Sequence, residues 1–237
     1  MRQKHKMQYT SIHKAIFLSR PNRFIAECEL RGEKVICHVK NTGRCKELLI
    51  PGATVYLDEP RGAGRRTKYD LIAVEKLKSD GEIILINMDS QAPNRAVEEF
   101  LLAKKLFPNA RSIRREFTMG KSRFDFRIEE EGRITFLEVK GVTLENNGIA
   151  AFPDAPTERG IKHIEELIRL REEGFGAAVF FVIQMKGVKE FRPNDLTHRA
   201  FGDALRRAKN AGVMIYAYDC LITPDSMIVD NPVEVKV

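Results

Sequence analysis

The chain has 237 residues, enough to bury a core as one large domain or two small ones, and its 43% hydrophobic content argues for a folded protein and against a disordered polymer. Lys and Arg number 40 against 33 Asp and Glu, a formal net charge of +7, and this moderate excess favours a polyanionic partner without requiring one. No apolar run reaches transmembrane length and no signal-peptide core follows the basic start, so the expectation is a cytoplasmic protein with no membrane partner.

Residues 15–18, 23–30 and 34–39 read as strands, the last two joined across Arg31-Gly32. A polar loop, Asn41-Thr42-Gly43-Arg44, precedes the apolar Leu48-Leu49-Ile50, and after the Pro51-Gly52 turn come strands at 54–57, 69–77 and 82–87. Short strands with turn signals between them fit a small barrel, for which an OB-like barrel is one candidate. Arg20, Arg23, Arg44 and a loop at 61–68 containing Arg65 and Arg66 place positive charge on the turns. Such loops on a small barrel grip single strands or phosphates, although a solubilising loop has the same composition. The glycines of 61–68 form no Walker loop, because no Gly-Lys-Ser/Thr follows at the required spacing. Cys28, Cys37, Cys45 and Cys220 lack Cys-x-x-Cys spacing, which argues for reduced thiols rather than a zinc site, Cys28 and Cys37 being packed in strands.

Around Ser90-Gln91-Ala92-Pro93-Asn94 the hydrophobic period changes from two to about 3.6, which divides the chain into domains at 1–90 and 91–237. A helix is expected over 95–106, stopped by Pro108, with Glu98 and Glu99 in its middle. A strand at 112–117 carries Glu116, either an acidic member of a site or a partner for Arg114 or Arg123.

The hairpin that follows says most about function. Phe124, Phe126 and Ile128 alternate with Asp125, Arg127 and Glu129, and beyond Glu131-Gly132 the alternation resumes with Ile134 and Phe136. With those two residues at the centre of the turn, Asp125 falls opposite Glu138, and like charges there are destabilising unless a cation lies between them. Lys140, two residues on, points to the same face as Glu138. Two carboxylates able to hold a hard divalent ion, with an ammonium beside them, suit phosphodiester cleavage. The ordinary alternative is a set of solvent-facing hairpin charges, against which stands the apolar cover of Leu137 and Val139.

After Lys140, residues 141–156 read as an irregular segment too long for a plain connection. A helix then starts with Thr157 as its cap and carries Arg159 and His163 on one face, where Arg159 and the helix N-terminus suit a phosphate. Ala177-Ala178-Val179-Phe180-Phe181-Val182-Ile183 reads as a buried central strand, followed by a helix at 196–210 and a strand at 213–218. That is the order of an α/β sandwich.

Asp125 followed by Glu138-Val139-Lys140 resembles the PD-(D/E)XK nuclease signature, although Phe124 stands where proline is usual. A wider set is similar to the sugar fermentation stimulation protein family, SfsA, over nearly the whole chain. It comprises Asn41-Thr42-Gly43-Arg44, Pro51-Gly52-Ala53-Thr54-Val55, Arg123-Phe124-Asp125-Phe126, Glu138-Val139-Lys140-Gly141-Val142-Thr143-Leu144 and Phe152-Pro153-Asp154-Ala155-Pro156-Thr157-Glu158-Arg159-Gly160. The resemblance implies an α+β chain, an N-terminal OB-like β-barrel followed by an α/β PD-(D/E)XK nuclease-like domain, with DNA bound in preference to RNA. It also implies that Glu99 assists the metal, and it draws Thr157, Arg159 and His163 into the site.

The expected function is DNA binding with phosphodiester hydrolysis dependent on Mg²⁺ or Mn²⁺. Asp125 and Glu138 would hold the metal, and Lys140 would orient water or stabilise charge on the phosphate. Arg23, Arg44, Arg65, Arg66 and Arg159 are the expected nucleic-acid contacts. The rivals are a non-cleaving DNA-binding regulator of sugar metabolism that keeps the nuclease fold as a scaffold, and an RNA-processing factor.

Overall fold

The structure, a computed structural model, describes residues 7–41, 43–61, 64–120 and 122–237. Thr42 of the first motif, and Gly62 and Ala63 of the basic loop, lie outside the described residues. Strands β1 (Ile12–Asn22), β2 (Ile25–Leu30), β3 (Glu33–Val39), β4 (Thr54–Asp58), β5 (Tyr69–Leu77) and β6 (Ile83–Asn87) form the first sheet in the order β3-β2-β1-β4-β5-β6. A parallel pairing of β3 with β5, Cys37 opposite Tyr69 through Val39 opposite Leu71, closes five of them into a barrel. Inward positions alternate as the period of two dictates: Ala15 and Phe17, Ala26 and Cys28, Cys37 and Val39, Val55 and Leu57 are all buried. All four cysteines are free and buried.

The second layer begins with α1 (Ala92–Leu102), followed by β7 (Ser112–Met119), β8 (Ser122–Glu130) and β9 (Arg133–Val142). The helix starts three residues before the expected 95 because Pro93 is tolerated in a first turn, where its missing N–H has no partner to lose. It also ends before Pro108: Lys104 turns left-handed at φ +56 just past the Ala103 cap. The supposedly irregular segment contains β10 (Leu144–Asn146) and β11 (Ile149–Phe152), a hairpin with Asn146 paired to Ile149. Helix α2 (Glu158–Glu172), β12 (Gly176–Ile183), β13 (Glu190–Pro193), α3 (Asp195–Asn210), β14 (Met214–Thr223), β15 (Ser226–Pro232) and β16 (Glu234–Val235) complete the chain.

The main sheet runs β15-β14-β12-β9-β8-β7 and is mixed, with β9, β12 and β14 parallel. Every residue of β12 is buried, as a central parallel strand covered on both faces requires. One face of the sheet packs Leu137, Val139, Ala178 and Phe180 with Ala96, Val97 and Leu101 of α1. The other packs Phe136, Val179 and Phe181 with Ile164 and Leu167 of α2 and Phe201 and Leu205 of α3. A smaller sheet, β10-β11-β13-β16, flanks this one.

Two polar clusters join the barrel to the second domain. Asp89, 1% exposed, accepts from Lys40 Nζ at 2.6 Å and Tyr9 Oη at 3.2 Å, and its backbone carbonyl accepts from Gln184 Nε2 at 3.3 Å. Lys76 of β5 reaches Glu145 of β10, Nζ to Oε2 2.6 Å, while Glu145 Oε1 accepts from Gly148 N at 2.7 Å. Met7 and Tyr9 pack against the second domain, Gln8 bridging to Ser226 at the start of β15.

Thr157 caps α2 as its sequence position suggests: its Oγ1 accepts from Gly160 N at 3.0 Å, and its own N–H donates to His198 Nδ1 at 3.2 Å. Thr157→Ala should cost about 1 kcal/mol in urea denaturation, with Thr157→Ser recovering most of it. Equal losses in the two variants would assign the cost to packing of the threonine methyl instead.

Candidate active site

The β8–β9 hairpin turns across Glu131-Gly132, with Glu130 paired to Arg133 and Phe126 to Leu137. Continued one step further, that register sets Asp125 opposite Glu138. There the ladder gives way to side-chain bonding: Asp125 Oδ2 accepts from Val139 N at 2.7 Å, and Oδ1 from Asn94 Nδ2 at 2.6 Å. Asn94 comes from the first turn of α1, so the helix start aims an amide at the strand carboxylate. In the sequence it marked only a domain boundary; a polar residue next to Pro93 in a first turn was the available signal.

Glu138 is 4% exposed, and its hydrogen bonds fall on a single oxygen. Lys140 Nζ donates to Oε1 at 2.6 Å, and His163 Nδ1 of α2 bonds the same atom. Lys140 Nζ also lies 3.2 Å from His163 Nδ1, and Arg159 Nε is 3.4 Å from His163 Nε2. Helix α2 and strand β9 thus bring Glu138, Lys140, His163 and Arg159 together, with Asp125 alongside.

The two carboxylates are electrostatically unlike. Burial, and then the charge of Glu138, push the Asp125 carboxyl above its ordinary value against the pull of its hydrogen bonds. Burial also pushes Glu138 upward, but His163 and Lys140 outweigh it and hold Glu138 below its ordinary value. Asp125, raised on folding, adds stability that is present below about pH 4 and lost as pH rises through its folded value; Glu138, lowered, adds stability present above about pH 4.5 and lost as pH falls. In thermal melts with EDTA, Asp125→Asn should therefore compare best with the parent at neutral pH, whereas the cost of Glu138→Gln should be largest there and fade in acid. Parallel curves for parent and both variants would contradict these shifts.

The remaining acidic candidates lie beside this cluster. Glu99 lines a cleft of about 670 Å³ along α1 with Asn94, Arg95, Glu98, Arg115 and Glu116. Glu116 pairs with Arg123 at 2.6 Å on the exposed sheet surface, which is its ordinary reading, and Glu98 pairs with Arg115 at 3.0 Å. Among the described residues no group of three or more acidic, His or Cys side chains stands in metal-ligating geometry. Lys140 and His163 both bond Oε1 of Glu138, which leaves its Oε2 as the carboxylate oxygen that could meet a cation beside Asp125. An all-oxygen pair of this kind suits a hard divalent ion.

On the barrel, Arg23 is exposed and lies over the Phe24 ring at 4.7 Å, while Arg44 and Arg66 are exposed without an ion pair among the described residues. Arg65 differs, since it is ion-paired with buried Asp70. Arg20 is a clamp rather than a contact: its guanidinium donates to the carbonyls of Arg23, Asn41, Gly43 and Arg44.

Known proteins share the two-domain order of this chain. Residues 18–86 match the family model described as the SfsA N-terminal OB domain, and residues 91–226 the sugar fermentation stimulation protein RE domain. The chain belongs to the sugar fermentation stimulation protein family, SfsA. A sugar fermentation stimulation protein homolog from Desulfitobacterium hafniense (strain DSM 10664 / DCB-2) is 54% identical over 230 residues, 97% of this chain and 98% of that protein. Another, from Clostridium beijerinckii, is 52% identical over 229 residues, 97% of this chain and 99% of that one. The structure of Pyrococcus furiosus SfsA in complex with Ca²⁺ superposes with a TM-score of 0.83 at 29% identity, covering 99% of this chain and all of that one. The SfsA fold here is thus an OB barrel followed by a restriction-endonuclease-like mixed-sheet domain. No helix among the described residues is long and apolar enough to cross a membrane.

Proposed function

We propose that this protein binds DNA and hydrolyses phosphodiester bonds with Mg²⁺ or Mn²⁺ held by Asp125 and Glu138. The observation that carries the reading is the meeting of Asp125, Glu138, Lys140 and His163 from β8, β9 and α2 around one buried carboxylate. Burying such charges is costly even when they are paired, and buried carboxylates with shifted titration gather at functional sites. The donor set fits a hard cation, and the relative from Pyrococcus furiosus was solved with Ca²⁺. A divalent ion bound there supplies Lewis-acid stabilisation of charge on phosphate oxygens. The chain's own groups do the rest: Asn94 fixes Asp125, His163 fixes Glu138, and the Lys140 ammonium faces charge developing on the phosphate. Arg159, exposed in the first turn of α2, suits an adjacent phosphate. DNA is preferred to RNA because the second domain is of the restriction-endonuclease type.

Purified protein incubated with single- and double-stranded DNA and RNA, with and without Mn²⁺, tests this directly. Metal-dependent DNA cleavage is expected. Binding without cleavage under every condition would establish the second reading, a DNA-binding regulator that uses the nuclease fold as a scaffold. One observation favours that reading: Lys140 already supplies Glu138 with a positive partner at 2.6 Å.

Binding itself should be dominated by phosphates. On duplex DNA, replacing Arg44 and Arg66 together by alanine should reduce the slope of log K against log salt by about 0.9 for each phosphate no longer neutralised, on every sequence alike. An unchanged slope would remove these loops from the interface. Arg65 is a poorer probe because its loss also strips buried Asp70 of a partner.

A further inference from the structure

A second site lies one residue beyond Lys140, where the carboxyl ends of β9 and β12 meet the barrel. Asn41 and Ser90 from the barrel side, Gly141 and Thr143, Phe152, Asp154 and Gln184 surround a pocket of about 110 Å³. The carboxyl ends of parallel strands are where open α/β sheets place ligands.

The chemistry of its wall is specific. Gln184 is 2% exposed, and its amide orientation is fixed: Nε2 donates to Asn87 O, Asn87 Oδ1 and Asp89 O at 3.0, 3.1 and 3.3 Å. Its Oε1 is therefore left on the pocket side, and among the described residues it accepts no hydrogen bond. Thr143, 7% exposed, likewise has no side-chain partner among the described residues. Asp154 stands at the mouth. Two glycines make room for these acceptors: a Cβ on Gly141 would collide with Gln184 Oε1, and one on Gly43 with Asp154 Oδ2.

No cationic side chain lines the pocket, so it does not suit a phosphate. Gln184 Oε1 and Asp154 offer it acceptors, Phe152 lines it with a ring that also packs against Phe181 and Phe201, and the volume accommodates one heterocycle without its sugar and phosphate. Resting on the nucleic-acid reading above, we propose that this pocket receives one unstacked nucleobase bearing an exocyclic amine, from the strand whose phosphate lies at Lys140. Gln184 Oε1 and Asp154 accept from the base N–H groups, and Phe152 packs against it. The pocket thereby makes the nuclease site selective for substrates that can release a base from the stack, which a mismatch or a single strand does most readily.

The test uses the full chain and short single-stranded DNAs carrying one 2-aminopurine at each position in turn, in calcium. Fluorescence anisotropy reports binding, and 2-aminopurine intensity reports unstacking. A rise in intensity at one position on binding is expected, lost in Thr143→Leu and reduced in Asp154→Ala while anisotropy still reports the complex. Thr143 is buried, so its variant is checked by thermal melting; Asp154 is exposed and provides the second variant independent of the core. Bound DNA with flat 2-aminopurine signals at every position, or a signal that persists in both folded variants, would overturn this inference alone. Failure of any of these DNAs to raise the anisotropy would overturn it together with the nucleic-acid reading.

Discussion

Lys140→Ala should lower the rate of DNA cleavage at saturating Mn²⁺ by about 10²- to 10³-fold, the loss usual when one preorganised donor to a developing charge is removed. The same variant should bind Mn²⁺ more tightly than the parent. Lys140 Nζ sits 2.6 Å from Glu138 Oε1, so its positive charge competes with a metal for the same carboxylate. His163 remains on that oxygen and keeps Glu138 in place after the truncation. Loss of rate with gain in metal affinity separates a role in the chemistry from one in metal retention. If both fell together, Lys140 would be holding the site's shape. If the rate were unchanged, the lysine would be only a counterion to Glu138.

The second large effect belongs to the junction between the barrel and the restriction-endonuclease-like domain. Glu145→Ala should destabilise the protein by about 3 kcal/mol, the low end of what is seen when one member of a buried pair is removed and the other stays behind. Lys76 is the residue left behind: its side chain is 18% exposed, and its Nζ reaches both the carboxylate and the carbonyl of Glu145. The loss also frees Gly148 N, which Glu145 Oε1 accepts at 2.7 Å inside the β10–β11 turn. Replacing both partners, Lys76→Met with Glu145→Leu, should recover most of the stability, because neither desolvated charge then remains. Urea midpoints for the two single variants and the double variant decide this. A double variant as unstable as Glu145→Ala would place the cost in the turn rather than in the ion pair.

What the sequence disclosed depended on how local the signal was. The β8–β9 register followed from Glu131-Gly132 alone, since a two-residue turn fixes every pair behind it, and Glu130 does pair with Arg133. Strand β12 was legible because a continuous apolar run has few other places to go. The β10–β11 hairpin carried an equally local signal that the surrounding Asn, Gly and Pro obscured. Asn147 and Gly148, both at positive φ, form the two-residue turn that such a dipeptide prefers.

Other features had no local signature. Gln184 meets Asn87 and Asp89 across nearly a hundred positions of chain, and Tyr9 reaches Asp89 across 80, so only the folded topology brings them together. Glu138 reads as a site residue from its strand, yet the reason its charge is tolerated, His163 on a helix that follows two further strands, does not. Arg65 and Arg66 are neighbours in sequence and look equivalent, but the fold commits one to Asp70 and leaves the other exposed.

Calorimetric titration of the metal-free protein with Mn²⁺ tests most directly whether Asp125 and Glu138 together hold a divalent ion. The parent should show one site, absent in Asp125→Asn and in Glu138→Gln and strengthened in Lys140→Ala. A parent that takes up no Mn²⁺, or carboxylate variants that titrate as the parent does, would contradict it and leave the buried cluster a structural element of a DNA-binding scaffold.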